Sequence, residues 1–246
     1  MKTINLKQSI LQLANPERAI GTTRFFKTGK GQYGEGDIFI GVSNPQVQAL
    51  VKEFYKNIEF AEIQELINDE IHELRFAGLL VLVVQYQKAS KSQQQTIVDF
   101  YLKNLSQINN WDLVDCSAYK ILGKFLLDKD RQILYNLAET GHLWSERVAV
   151  VSTLELIRNG QFTDIFRLSE RFLTHSHDLM HKACGWMLRE VGKRDELALE
   201  EFLGEYLHKM PRTMLRYAIE KMEEKKRLGY LKKTIQSPSS PSQPYS

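Results

Sequence analysis

Trp111 and Asp115 stand four residues apart, a spacing that on a helix sets one above the other on a single face. Trp186 and Arg189 form a second such pair at i and i+3, and Arg147 lies between the two pairs in sequence. Two aromatic plates and one carboxylate are what a site needs to hold a nucleotide by its sugar and base faces while stabilising positive charge. The same residues have a plainer reading, with the tryptophans as core anchors and Asp115 paired internally with Arg147. His177 and His181 have the i,i+4 spacing used by zinc-binding histidines, with His175 close by. No carboxylate or third ligand is fixed by the pattern, so no metal is expected. Ser176 or Asp178 reads as a helix cap there. Gly29-Lys-Gly31-Gln-Tyr-Gly34 spells G-x-G-x-x-G, but no strand or βαβ unit surrounds it, so no dinucleotide and no other cofactor is expected. The two cysteines, Cys116 and Cys184, sit among apolar neighbours and read as buried, reduced thiols.

The elements that position these residues recur. His72-Glu-Leu-Arg75-Phe-Ala77, Trp111-Asp-Leu-Val-Asp115-Cys-Ser117, Trp144-Ser-Glu-Arg147-Val-Ala149, Met180-His-Lys182-Ala-Cys184 and Met214-Leu-Arg216-Tyr-Ala218 each place a small residue two positions after a charged one. The charged positions are separated by 40, 32, 35 and 34 residues. That period belongs to helix-pair solenoids of the HEAT or armadillo type, whose units hide their apolar faces by stacking on neighbours. The recurring helix then lines one continuous face, which carries Asp115, Arg147, Lys182, Arg189 and Arg216.

Apolar and charged residues make up 43% and 26% of the 246-residue chain, enough for a sizeable core in one long repeat domain or two compact ones. A net charge of +3 means that any nucleic-acid partner must be met by a local patch. Basic residues do accumulate between Met180 and Lys233, interleaved with Glu200, Glu201, Glu205, Glu223 and Glu224, a pattern that also suits a solvated helix surface laced with ion pairs. The N-terminus lacks the apolar run of a signal peptide, and the apolar stretch from Phe76 to Val84 is about half a membrane span, so a cytoplasmic protein is expected. Asn15-Pro16 marks a helix start with Asn15 as cap, and periodic helical segments run from Asn44-Pro45 onward. The β-branched run Val81-Leu-Val-Val84 falls inside the first recurring unit and reads as buried helix. Residues 237–246, rich in Pro and Ser, read as a disordered tail after one domain over 1–236.

The strings Asn110-Trp111-Asp112-Leu-Val-Asp115, Leu143-Trp144-Ser-Glu-Arg147-Val-Ala149-Val and Lys182-Ala-Cys-Gly185-Trp186-Met-Leu-Arg189-Glu190 resemble the signature blocks of the AlkD-like DNA alkylation repair proteins. Arg24-Phe25-Phe26-Lys27, running on to Phe39-Ile-Gly41-Val, resembles the same family, and the likeness covers roughly residues 10–228. It implies an all-α fold, a right-handed solenoid of HEAT-like helical repeats with a concave DNA-binding face. It also implies a DNA glycosylase that excises cationic N3- and N7-alkylated purines from duplex DNA; nothing suggests a lysine nucleophile, so a monofunctional enzyme is expected, with a monomer as the default. Carried over by position, Asp115 is the catalytic carboxylate, Trp111 and Trp186 are the aromatic walls, and Arg147 and Arg189 contact phosphates, with Lys182 and Arg216 on the same DNA-binding face. Two positions depart from the pattern. Some members have paired tryptophans where this chain has Asn110-Trp111, and a tyrosine where it has Phe25 or Phe26. A catalytically silent binder of DNA structures and a HEAT-type protein-interaction scaffold are the competing readings.

Overall fold

The computed structural model describes residues 5–233; the expected tail, 237–246, lies outside the described residues. The chain is all-helical. Among the described residues no strand forms, and the one extended pairing is a parallel bridge between Ile38 and Ile71. The chain divides into two compact units, Met1–Ile133 and Leu134–Ser246.

The first unit opens with α1 (Leu6–Leu11) and α2 (Pro16–Phe25). Asn15 caps α2 as its sequence predicts, its side chain accepting from the Arg18 N–H at 2.9 Å. The glycine-rich segment that follows is a loop leading to α3 (Asn44–Phe54), which begins with a Ser43–Gln46 capping box. Four further helices complete the unit: α4 (Phe60–Ile67), α5 (His72–Lys88), α6 (Lys91–Lys103) and α7 (Trp111–Ala118). At its centre is α5, packed by α3, α4, α6 and α7. Val81, Leu82 and Val83 are buried within it, which explains why a β-branched run is helical. Each β-branched residue costs a few tenths of a kcal/mol in helix propensity, whereas full burial of a valine or leucine side chain contributes about 1.5–3 kcal/mol. Burial therefore wins.

The second unit holds α8 (Gln132–Ala138), which begins at the division, α9 (Leu143–Arg158), α10 (Thr163–Arg171), α11 (Asp178–Gly192), α12 (Glu196–Tyr206), α13 (Arg212–Ala218) and α14 (Glu224–Lys233). Here α11 is the organising helix, packed against α9, α10, α12 and α13. It approaches α13 so closely that a Cβ on Gly185 would lie 2.5 Å from both the Met214 carbonyl oxygen and Tyr217 Cβ.

The recurring motif maps onto α5, α7, α9, α11 and α13, one helix of each successive pair. Its small residues, Ala77, Ser117, Ala149, Cys184 and Ala218, are all between 0% and 2% exposed. They lie on helices that pack on one another: α5 packs on α7 in the first unit, and α11 on both α9 and α13 in the second. A side chain no larger than Cys or Ser lets helix backbones come close, which is why the size of this residue recurs while its polarity varies. No helix among the described residues is long and apolar enough to cross a membrane.

Candidate functional site

In the first unit the candidate residues sit on α7. Its cap is Asn110, fully buried, whose Oδ1 accepts from the Trp111 N–H at 2.8 Å and whose Nδ2 donates to Asp37 Oδ2 at 2.7 Å. Trp111 opens the helix half-buried, and Asp115 follows one turn later, also half-buried. Directly after, the chain widens into a π turn at Tyr119–Gly123, a distortion found disproportionately at functional sites.

The Trp111 indole is held by two phenylalanines. Phe26 stacks on it with ring centroids 5.2 Å apart and planes 11° from parallel, while Phe25 meets it edge-on at 5.9 Å. On its far side Phe26 stacks on Phe39 at 4.8 Å. The two phenylalanines thus differ in position: Phe26 is buried, whereas Phe25 is 65% exposed.

Beneath this aromatic layer lies a charged network that sequence reading did not find. His72, 2% exposed, places Nδ1 3.2 Å from Asp37 Oδ2 and Nε2 2.8 Å from Asp112 Oδ2. Arg75 Nη2 donates to Asp37 Oδ1, and Arg75 Nη1 donates to the carbonyls of Asp69 and Glu70 at 2.9 and 3.0 Å. Burial by itself would lower the His72 pKa, but the charge and hydrogen bond of Asp112, and then those of Asp37, raise it from 6.5 to about 9. The imidazole is therefore a cation at neutral pH, flanked by two carboxylates. Burial would raise the Asp37 carboxyl, yet hydrogen bonds from His72 and Asn110 and the charge of Arg75 outweigh it and hold the group below the usual carboxylate range. His72 also stacks against Phe39, at 4.5 Å between centroids, which puts the cation on an aromatic face.

The glycine-rich loop closes this assembly. Asp37, its last residue, is the point where α5 and the cap of α7 meet. Gly34 lies so near the end of α2 that a Cβ would stand 2.4 Å from the Phe26 carbonyl oxygen. Glu73 of α5 accepts from the backbone N–H groups of Ile40, Gly41 and Val42 at 2.8–3.3 Å, fixing the loop's exit. The loop is a structural clamp with a helix before it and a helix after it. Asp112, read from sequence as a first-turn residue, is in the first turn, and its carboxylate faces His72. A signal for the network was present in the sequence: a histidine and an arginine at the start of a helix that runs on into a long apolar stretch. Of the partners of His72, Asp112 lies 40 residues on, at the same register of the next recurring helix, whereas Asp37, 35 residues back, comes from a loop outside the repeat.

In the second unit Arg147 is 5% exposed, and its Nη1 donates to the Leu179 carbonyl at 2.7 Å, joining α9 to the first turn of α11. Arg75 and Arg147 occupy the same place in the motif, and both give hydrogen bonds to backbone carbonyls. Trp186 is half-buried on α11. Arg189, on the same helix, pairs with Glu220, and its Nε lies 3.9 Å from Glu190. Lys182 pairs with Asp178 at 2.8 Å, and Arg216 is exposed. Much of the basic run behaves as laced helix surface: Lys193 and Arg194 both pair with Glu190, and Lys226 bridges Glu196 and Glu200.

Two of the three histidines, His175 and His177, have separate structural duties. His175 Nε2 lies 3.0 Å from Glu146 Oε2. His177 is the cap of α11, its Nδ1 accepting from the Leu179 N–H at 3.1 Å, so the cap expected at Ser176 or Asp178 falls between them. Asp178 is the first helical residue instead, where a carboxylate suits the positive end of the helix dipole. Both cysteines are free thiols; Cys184 is buried as expected, whereas Cys116 is only half-buried. Burial pushes the Cys184 thiol up to about 12 and the Cys116 thiol higher than its ordinary value.

Comparison with known proteins identifies the family. A family model described as DNA alkylation repair enzyme matches residues 6–222. A solved structure described as a predicted DNA alkylation repair enzyme from Enterococcus faecalis shares the fold with a TM-score of 0.68 at 20% identity, covering 86% of this chain and 97% of its own. No curated protein matches the chain. With the family model running from the start of α1 to the turn after α13, the chain belongs to the DNA alkylation repair enzyme family.

Proposed function

We propose that this protein is a monofunctional glycosylase that hydrolyses the N-glycosidic bond of N3- and N7-alkylated purines in duplex DNA. The observation that carries the reading is α7: Asp115 stands one turn below Trp111 on a helix whose cap and first turn are locked from beneath by Asp37, His72 and Asp112. A clamped helix holds an indole and a carboxylate in fixed relation, as preorganised electrostatic stabilisation requires.

A purine alkylated at N3 or N7 is already cationic. When its glycosidic bond breaks, the bonding electron pair stays with the base and neutralises it, so no general acid is needed. Positive charge develops on the sugar, and Asp115 would stabilise that oxocarbenium-like state and orient water toward the anomeric carbon. Water's oxygen bonds to that carbon, its proton leaves to Asp115 or solvent, and a neutral alkylpurine and an abasic site remain. Trp111 and Trp186 would be the aromatic walls, each contributing about 0.5–2 kcal/mol of cation–π attraction. Arg189, Lys182 and Arg216 would lie along phosphates. Arg147 would join them with a guanidinium plane already fixed by Leu179. The reading includes one HEAT-like solenoid domain over 1–236 with a concave DNA-binding face, acting as a monomer without a metal or cofactor. It places the protein on DNA in the cytoplasm.

The test is release of 7-methylguanine and 3-methyladenine from methylated duplex DNA, with Asp115→Asn beside wild type. Release that falls at least about a hundredfold in the variant, with duplex affinity unchanged within a few-fold, supports the reading. Duplex binding without release by wild type overturns it in favour of a silent DNA-binding relative.

A further inference from the structure

At the other end of α5 from His72 and Arg75, about 24 Å along the helix axis, the first unit carries a groove of about 590 Å³. It lies between the ends of α3 and α5 and the starts of α4 and α6. Its apolar lining is Tyr55, Phe60, Ala89 and Ile97. Lys56 and Lys88 stand in the same lining, which holds no carboxylate. Lys88 Nζ lies over the Tyr55 ring, 5.9 Å from its centroid, and neither lysine takes part in an ion pair among the described residues. That sets them apart from Lys182, Lys193 and Lys226, each of which has a carboxylate within 2.8 Å. Phe60 is 37% exposed although its ring meets Phe100 at 5.0 Å.

We infer that this groove is a docking site for a short acidic segment of a partner protein, which seats an apolar side chain against Phe60 and Ile97 and sets carboxylates on Lys56 and Lys88. Charge complementarity selects the occupant: two ammonium groups without internal carboxylates flank an apolar floor, so the matching ligand is apolar in the middle and negative on both sides. A nucleic-acid backbone fits less well, because it presents a row of phosphates and calls for a stripe of cations, whereas here two stand at the edges of apolar surface. A small molecule fits less well too. Lys56, Phe60, Lys88 and Thr96 are all exposed, so the groove lies open along its length, unlike sites that bury most of a small ligand. The site is independent of the excision chemistry proposed above.

The experiment uses the full chain and three fluorescently labelled peptides, read by anisotropy. In the first, Phe and Leu alternate with Glu; in the second, Lys replaces Glu; in the third, Ala replaces Phe and Leu. The proposal expects saturable binding of the first alone. Affinity should fall at least about tenfold in Lys56→Glu/Lys88→Glu and likewise in Thr96→Trp, which fills the groove without changing its charge. Both variants alter exposed side chains, and an unchanged circular dichroism spectrum and melting temperature verify their fold. No binding of the first peptide, equal binding of the first two, or binding untouched by either variant overturns the proposal. So does displacement of the peptide by undamaged duplex DNA in wild type, since the groove would then belong to the nucleic-acid surface.

Discussion

Replacing His72 by Gln removes the cation between Asp37 and Asp112 while keeping a hydrogen-bonding side chain of similar length. The folded-state pKa of about 9, against 6.5 for the free side chain, corresponds to about 3 kcal/mol of stability linked to protonation. A group whose pKa is raised by folding contributes that stability in full below its unfolded pKa, here 6.5, and loses it as pH rises through its folded value. Wild type should therefore be steady near pH 6 and weaken progressively toward pH 10. His72→Gln should be about 3 kcal/mol less stable at pH 6–7, and the gap should close as pH passes about 9. Arg75 still neutralises Asp37 in the variant, so the uncompensated charge falls mainly on Asp112 in the first turn of α7. Urea unfolding at a series of pH values, followed by tryptophan fluorescence in a background where Trp111 is the only tryptophan, reads this unit directly. A gap that stays constant from pH 6 to pH 10, or is absent at pH 7, would refute the argument that a protonated His72 holds α7 in place.

Gly185→Ala should destabilise the second unit by about 1–3 kcal/mol or more, because the new Cβ would meet the Met214 carbonyl and Tyr217 Cβ at 2.5 Å. Thermal melts should show the loss, and Gly192→Ala, whose nearest neighbour is the flexible tip of Leu199, should lose less. Glu220→Gln should release Arg189 from its internal carboxylate. If Arg189 lies on a phosphate, duplex affinity should rise and the dependence of log K on log salt should steepen by up to about one unit; an unchanged slope removes Arg189 from the interface.

Much of the fold is legible in the sequence. The period of the charged-then-small motif locates α5, α7, α9, α11 and α13, and the small residue is buried in each of them. Asn15-Pro16 fixes the start of α2 for an equally local reason. The placement of a buried β-branched run in a helix follows from its position inside a repeat.

What the tertiary structure decided is the fate of the charged position. Arg75 and Arg147 are buried, Asp115 and Lys182 are half-buried, and Arg216 is exposed, although all five share one register. Register sets which way a side chain points, but its exposure depends on what the neighbouring element brings opposite it. The same holds for His72. Its i,i+4 neighbours give no hint of Asp37 and Asp112, which reach it from a loop and from another helix. The sequence alone determines helices and their faces, since these depend on residues a few positions apart. The buried cation, its two carboxylates and the clamped helix above them arise only when segments 35 to 40 residues apart meet, because an ion pair in a core depends on distance in space and desolvation rather than on separation along the chain.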